Sequence, residues 1–132
     1  MGLQISIRET RDVVILDLQG RLSTREDGEL LSLRLRSLID NGKNKLLLNL
    51  VNLVQIDSSG VSIIARTQSS LKRRGGNLGL LRPGGHVLEV FKVLRLLKVI
   101  PCFEDENQAV TSFRLLDLSQ SPEVREGTTL FR

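Results

Sequence analysis

The chain lacks tryptophan and tyrosine, and it has four phenylalanines, one cysteine and one histidine among 132 residues. Single-strand nucleic-acid binders stack bases on aromatic side chains, so this composition disfavours that class. One histidine and one cysteine are too few for a zinc site of the usual ligand set. A single cysteine also forms no internal disulfide, so we expect a reducing compartment and a buried structural thiol at Cys102, which lies in an apolar run.

Long apolar runs are also missing. No stretch is long enough for a membrane-spanning helix, and the polar N-terminus lacks the apolar region of a signal peptide. We therefore expect a cytoplasmic protein that does not insert into a membrane. Lys and Arg exceed Asp and Glu by four, which suggests acidic partners, with nucleic acid or anionic lipid among them. We favour the simpler interpretation, a mildly basic soluble domain that binds no nucleic acid.

The hydrophobic pattern predicts the order strand, strand, helix, strand, helix, strand, helix, helix, with a short strand-like piece around Cys102. The first two strands are expected to form an antiparallel hairpin, and the third has the apolar run of a central strand. This order predicts an α/β fold with a mixed four- to five-stranded sheet and about four helices mainly on one face. Residues 1–117 are predicted to form a single domain, and residues 118–132 a loosely ordered tail.

The helix boundaries come from capping signals. Ser23-Thr24-Arg25-Glu26 has a capping-box pattern, which predicts Ser23 as the N-cap of the first helix. The second helix is predicted to begin at Ser58-Ser59 and to end before Gly75-Gly76. Five cations are expected around its end, either as a solvated face, which is the simpler interpretation, or as a docking patch for an acidic protein: Arg66, Lys72, Arg73, Arg74 and Arg82.

Asp57-Ser58-Ser59-Gly60, here called the serine turn, stands between a predicted strand and a predicted helix. Asp and Ser are both preferred N-cap residues, so a plain helix cap is the simpler interpretation. One cap needs only one such residue, however. The alternative is that a partner kinase phosphorylates one hydroxyl, which would add roughly −1.5 to −2 charges beside the Asp57 carboxylate. The residues alone leave both interpretations open.

A serine at a strand-to-helix turn is also typical of hydrolases. Their nucleophile motif has glycine two residues on either side of the serine, which neither Ser58 nor Ser59 has. The one histidine, His86, is more simply explained as a polar residue that opens the third helix. Neither glycine pair forms a phosphate-binding fingerprint with lysine and serine. We therefore predict a non-enzymatic protein without cofactor or metal.

Three segments together resemble the STAS domain of bacterial anti-sigma factor antagonists. They are the strand Leu46–Leu50, the run Gln55–Val61 that contains the serine turn, and Gly75–Leu78, and the likeness spans roughly residues 3–116. The resemblance implies a mixed sheet flanked by helices and a regulatory role in transcription. It also implies a protein-binding switch, in which the serine turn contacts an anti-sigma factor that is itself a serine kinase.

The resemblance further implies that Ser58, the first serine of the turn, is the phosphoacceptor, with Ser59 as the runner-up. The unphosphorylated form would bind the anti-sigma factor, phosphorylation would release it, and a separate phosphatase would reset the phosphoserine. Two alternatives from the same resemblance are a STAS scaffold that does not switch and a STAS subunit of a membrane transport complex.

Three positions depart from the family pattern. At Arg21 and Ser23 the family usually has acidic residues near the partner surface, and at Arg95 many relatives have glycine. The candidate partner surface is therefore the serine turn together with five flanking residues: Arg21, Ser23, Arg66, Lys72 and Arg73.

Overall fold

The structure, a computed structural model, describes the backbone of residues 2–119 and the side chains of residues 2–115. Its elements, in chain order, are β1 (Leu3–Thr10), β2 (Val13–Leu22), α1 (Arg25–Asp40), β3 (Lys45–Ile56), α2 (Ser58–Arg73), β4 (Asn77–Leu81), α3 (Gly85–Val93), β5 (Cys102–Phe103) and α4 (Glu106–Ser119). A short 3-10 helix, Leu96–Lys98, connects α3 to β5. The predicted order of elements is confirmed.

Within the described residues, five strands form one mixed sheet in the order β1-β2-β3-β4-β5. β1 pairs antiparallel with β2, and every later neighbour is parallel. Arg11 and Asp12 connect β1 to β2, and both have positive φ, 50° and 71°, as a two-residue hairpin turn that matches the strand twist requires. The predicted α/β class and mixed sheet are confirmed.

Helices cover both faces of the sheet, but unequally. α1, α2 and α3 pack on one face around a core that includes Leu31, Ile64 and Phe91, and α4 packs on the other face with Phe113 against Ile15. The first three helices therefore share one apolar core, as the prediction of helices mainly on one face requires, and the smaller second core belongs to α4.

The parallel strands bring three helix starts to one edge of the sheet. α1 follows β2, α2 follows β3 and α3 follows β4, and the carboxyl ends of parallel strands lie at the same edge, where open α/β sheets bind their ligands. Leu22 at the end of β2 is paired with Ile56 at the end of β3. The serine turn therefore lies beside the β2–α1 connection.

Two local expectations are wrong. The N-cap of α1 is Thr24, not Ser23, and Asp27 rather than Glu26 completes the capping box. The carboxylate of Asp27 also accepts the amide of Leu3, 3.1 Å away, so a distant strand selects this register. Cys102 is exposed, because β5 is a two-residue edge strand whose alternate side chain, Phe103, packs toward α4.

The predicted tail lies almost wholly outside the described residues. α4 extends to Ser119, so residues 118 and 119 are helical, and residues 120–132 are beyond the described part. The division of the chain at residue 117 stays a prediction.

Candidate functional site

The serine turn joins β3 to α2 as a capped helix start. Asp57 is the N-cap, with extended backbone angles (φ −110°, ψ 179°), and Ser58 is the first helical residue. The Asp57 amide donates to the carbonyl of Leu22, at 3.2 Å. This bond ties the turn to the end of β2, so the start of α2 is fixed to the sheet on two strands.

Glycine at position 60 lets the helix start lie close to the sheet. A Cβ built on Gly60 would be 2.7 Å from Cγ of Leu22 and 3.1 Å from Cγ1 of Ile56. Leu22 and Ile56 are both buried core residues, so a larger residue at position 60 would have to displace packed side chains. The close approach to Leu22 and Ile56 therefore explains why the fourth residue of the serine turn is glycine.

The carboxylate of Asp57 binds two groups of its own turn. Its Oδ1 accepts the Gly60 amide at 3.0 Å and the Ser59 hydroxyl at 2.8 Å. The Gly60 amide, followed by the Ser59 hydroxyl, lowers the pKa of Asp57 below its usual value. The carboxylate is therefore ionised at neutral pH, at the positive end of the α2 dipole.

The two serines of the turn differ in what they contact. Ser59 is exposed, and its hydroxyl donates to Asp57. Ser58 is also exposed, and among the described residues no group forms a hydrogen bond with its hydroxyl. The Ser58 hydroxyl is therefore open to an approaching partner, whereas the Ser59 hydroxyl already serves the cap.

His86 lies beside the turn, which sequence reasoning missed. It is in the first turn of α3, as predicted, and its Nε2 lies 3.2 Å from the carbonyl oxygen of Ile56. This contact joins α3 to the residue before Asp57. The imidazole contacts the backbone rather than either serine, and the low pKa makes Asp57 a weak base, so neither side chain activates a serine for nucleophilic attack.

The five flanking residues of the candidate partner surface do not all lie near the serine turn. Arg21 is exposed on β2, where its register partner on β3 is Gln55, two residues before the turn. The Ser23 amide, in the β2–α1 connection, donates to Asp27 at 3.3 Å. Both therefore lie near the serine turn. Lys72 and Arg73 are at the other end of α2, about 21 Å from Ser58 along the helix axis. These two cations do not belong to the same patch as the turn.

Arg66 occupies a third position. It lies midway along α2 and lines a groove of about 590 Å³ between α1 and α2, together with Ser59, Leu33, Ile63 and Arg36. This groove therefore begins at Ser59 of the serine turn, and the Arg66 side chain lines it farther along α2. The expectation that Arg82 lies around the C-terminal end of α2 is wrong, since Arg82 follows β4 at the sheet edge that holds the turn. Arg66 is about two turns before that end, and it also lines a depression with Arg74, the C-cap of α2.

In residues 2–119, no group of three or more His, Cys, Asp or Glu side chains is arranged to hold a metal ion. None of the helices in that part of the chain combines the length and the apolar character needed to cross a membrane.

A family model described as the STAS domain matches residues 4–109. The chain is 25% identical over 117 residues to an anti-sigma F factor antagonist of Paenibacillus polymyxa, a match that covers 88% of this chain and 99% of that protein. The fold of this chain is also similar to that of the unphosphorylated form of the anti-sigma factor antagonist SpoIIAA. The TM-score is 0.72 at 25% identity, with 86% of this chain and 96% of that chain covered.

A second solved structure, the phosphorylated form of the Bacillus cell fate determinant SpoIIAA, shares the fold. Its TM-score is 0.65 at 24% identity, with 84% of this chain and 98% of that chain covered. The same architecture of sheet and helices therefore occurs in a protein solved both with and without phosphate.

Proposed function

The chain belongs to the STAS domain family, and from this premise we propose that it is an anti-sigma factor antagonist whose binding to its partner is switched off by phosphorylation of Ser58. A protein of Paenibacillus polymyxa that matches over most of both chains is named an anti-sigma F factor antagonist. The name SpoIIAA is attached to both an unphosphorylated and a phosphorylated structure. The chain acts by binding and catalyses no reaction of its own.

One observation carries the choice of residue. The Ser58 hydroxyl is exposed and has no hydrogen-bond partner among the described residues, whereas the Ser59 hydroxyl donates to Asp57 at 2.8 Å. A kinase has to bring the acceptor oxygen in line with the γ-phosphate of ATP. Ser58 meets this requirement without loss of the cap, while Ser59 would first have to give up its bond to Asp57.

Electrostatics explain how a phosphate there acts as a switch. The phosphate adds roughly −1.5 to −2 charges next to a carboxylate that is ionised at neutral pH. The Gly60 amide, one of the donors at the start of α2, is already taken by Asp57. The helix start therefore compensates only part of the new charge, and the remainder opposes docking of a partner surface that fits the neutral turn.

The proposal implies two protein partners and one compartment. The partner that docks on the turn is an anti-sigma factor with serine kinase activity, which phosphorylates the residue it contacts. A phosphatase restores the free hydroxyl. All of these reactions belong to the cytoplasm, where ATP and the sigma factor are found.

The first experiment maps the phosphate. Wild type, Ser58→Ala and Ser59→Ala are incubated with the kinase-type anti-sigma factor and ATP, and modified residues are identified by mass spectrometry. We expect phosphate on Ser58 in the wild type and in Ser59→Ala, and none in Ser58→Ala. Phosphate on neither serine of the wild type would remove the switch from the proposal.

The second experiment measures binding to the anti-sigma factor by calorimetry. Ser58→Asp introduces a charge, and Ser58→Asn is its neutral control of nearly the same shape. We expect Ser58→Asp to weaken binding by about 2 kcal/mol or more, roughly thirtyfold, and Ser58→Asn by much less. Equal affinities of the two variants would favour a STAS scaffold, or a subunit of a transport complex, that assembles without switching.

A further inference from the structure

Positive charge is concentrated in one part of the chain. Residues 58–103 contain eight of the 19 Lys and Arg residues but only one, Glu89, of the 15 Asp and Glu residues. The rest of the chain has more acidic than basic residues, although the whole carries a net charge of +4. This part of the fold therefore presents a positive field to anionic surfaces.

Exposed aliphatic side chains lie within this positive region. Residues 92–99, here called the α3 corner, connect the end of α3 through the 3-10 helix toward β5. Val93 is 74% exposed, Val99 57% and Leu94 47%. Tight turns at Arg95 and Val99, whose amides donate to the carbonyls of Lys92 and Leu96 at 3.0 Å each, keep this segment compact between α3 and β5.

Five cations accompany these aliphatic side chains. Lys92, Arg95 and Lys98 are exposed within the α3 corner itself. Lys72 and Arg73, from the end of α2, line one depression together with Lys98 and Val99. In the described part of the chain, none of the five forms a salt bridge, so their charge is not neutralised within the fold.

Arg95 has a strained backbone conformation. It has φ 59° and ψ 29°, in the left-handed region, where glycine is the unstrained residue. An arginine in this conformation adds a charge at an exposed turn of the α3 corner. The fold gains no hydrogen bond from its side chain, since no described residue forms one with it. The local structure therefore offers no packing reason for a cation here.

We propose that the α3 corner, together with Lys72 and Arg73, is a peripheral binding surface for anionic phospholipid membranes. Aliphatic side chains that stand out from a cationic surface can enter the boundary of headgroups and acyl chains while the cations remain with the lipid phosphates. Duplex DNA would use the cations but gains little from three exposed aliphatic side chains. A protein interface of standard size has few charged residues at its centre.

The proposal goes beyond the phosphorylation switch and is compatible with it. α2 runs from the serine turn to the proposed surface, and its 16 residues span about 24 Å. A molecule adsorbed through the α3 corner would therefore hold the serine turn away from the lipid, open to a partner.

Sedimentation with vesicles tests the proposal on the full chain. Vesicles of equal parts phosphatidylserine and phosphatidylcholine are compared with vesicles of phosphatidylcholine alone. We expect binding to the anionic vesicles only, weaker at higher salt. Lys92→Gln with Lys98→Gln is expected to weaken binding about 25-fold, since each cation near an anionic surface contributes about a fivefold factor.

Matched variants separate the surface from overall charge and from folding. Arg34→Gln with Arg114→Gln removes the same charge at exposed positions on α1 and α4, and we expect no more than about a twofold loss. Val99→Ser is paired with Leu115→Ser, a 60% exposed side chain on α4. Only Val99→Ser is expected to weaken binding, about tenfold.

Arg95→Gly gives an independent readout. It relieves the left-handed conformation, so the thermal midpoint is expected to stay unchanged or to rise, while vesicle binding falls about fivefold. Equal binding of the corner variants and their controls would overturn the proposal. So would equal binding to neutral vesicles, or a shift of duplex DNA by a protein that does not sediment with anionic vesicles.

Discussion

α1 and α2 begin at the same edge of the sheet, and each start is capped through an aspartate, yet the two are built differently. At the start of α1, the carboxylate of Asp27 accepts the amides of Leu3, Ser23 and Thr24, at 3.1, 3.3 and 3.2 Å. Asp27 is only 7% exposed. All of its partners belong to the fold, so this start is a structural joint between β1, the β2–α1 connection and α1.

At the start of α2, the cap formed by the aspartate does not involve the hydroxyl of Ser58. Asp57 accepts the Gly60 amide and the Ser59 hydroxyl, and these two bonds complete the cap. Ser58 adds an exposed hydroxyl that no described group binds. Asp57 and Ser59 therefore form the cap, whereas the exposed Ser58 hydroxyl makes no contribution to it, which is compatible with the proposed role of Ser58 as the phosphoacceptor.

The largest expected effect comes from removal of the two carboxylates. Asp27→Ala leaves the buried Leu3 amide and two further amides without an acceptor, so we expect a loss of about 3 kcal/mol of unfolding free energy. Asp57→Ala removes a partly exposed cap and is expected to cost about 1 kcal/mol. Chemical denaturation of both variants measures the difference. Equal losses would mean that the two starts are energetically alike.

Gly28 and Gly60, each in the first turns of its helix, give the second comparison. Gly60→Ala brings a Cβ within 2.7 Å of the buried Leu22 side chain, and we expect a loss of about 2 kcal/mol. Gly28→Ala meets only the terminal methyl of Ile63, at 3.1 Å, which can move. The better helix propensity of alanine should then raise stability by up to about 1 kcal/mol.

Thermal or chemical unfolding of both glycine variants measures this pair. A stable Gly60→Ala protein would contradict the close packing of α2 on Leu22.

The pH dependence of stability sharpens the comparison further. Burial alone would raise the pKa of Asp27, but hydrogen bonds from Thr24 and from the amides of Ser23 and Leu3 outweigh it and lower the pKa. The pKa of Asp57 is lowered by the Gly60 amide and the Ser59 hydroxyl. A lowered folded-state pKa gives stability that is present above the unfolded value, about 3.9, and is lost as the pH falls through the folded value.

We therefore expect the unfolding free energy of the wild type to fall below about pH 4. Asp27→Asn and Asp57→Asn should each make this fall shallower, as measured by denaturation at a series of pH values. The surface pair of Arg8 and Asp17, 2.8 Å apart, remains in both variants and supplies a common acid-sensitive background. A slope unchanged by Asp57→Asn would show that its carboxylate stabilises the folded state no more than the unfolded state.

Local sequence predicted the serine turn well because its determinants are local. An apolar strand, a run of cap-forming residues and a helical pattern follow one another within a few residues, so the sequence predicts a strand that ends before the turn and a helix that begins at the serines. It does not decide which residue is the N-cap, because Asp and Ser are both preferred there, and the structure has Asp57. The sequence places glycine at position 60, but the physical reason for it, the close approach to Leu22, is visible only in the structure.

The errors arise where distant residues decide. Two overlapping patterns fit a capping box at the start of α1, one that begins at Ser23 and one that begins at Thr24. The structure has the second, in which the Asp27 carboxylate also accepts the amide of Leu3, 24 residues earlier in the chain. The contact of His86 with Ile56 spans 30 residues and leaves no local signal. Cys102 lies in an apolar run, but its exposure depends on the place of β5 at the edge of the sheet.

The smallest expected effects separate the two serines themselves. Ser59→Ala removes a hydroxyl that donates to Asp57 at 2.8 Å, and we expect a loss of about 0.5 to 1 kcal/mol of unfolding free energy. The same change should raise the pKa of Asp57, since it removes a donor to the ionised form. Ser58→Ala removes a hydroxyl without a partner among the described residues, so stability should change by less than about 0.5 kcal/mol.

Chemical denaturation, together with an NMR titration of the Asp57 side chain, measures both effects of the serine pair. A larger loss for Ser58→Ala than for Ser59→Ala would contradict the assignment of Ser59 as the serine that supports the Asp57 cap. If Ser58→Ala leaves stability unchanged as expected, a loss of partner binding on modification of Ser58 can be attributed to the contact with the partner rather than to the fold.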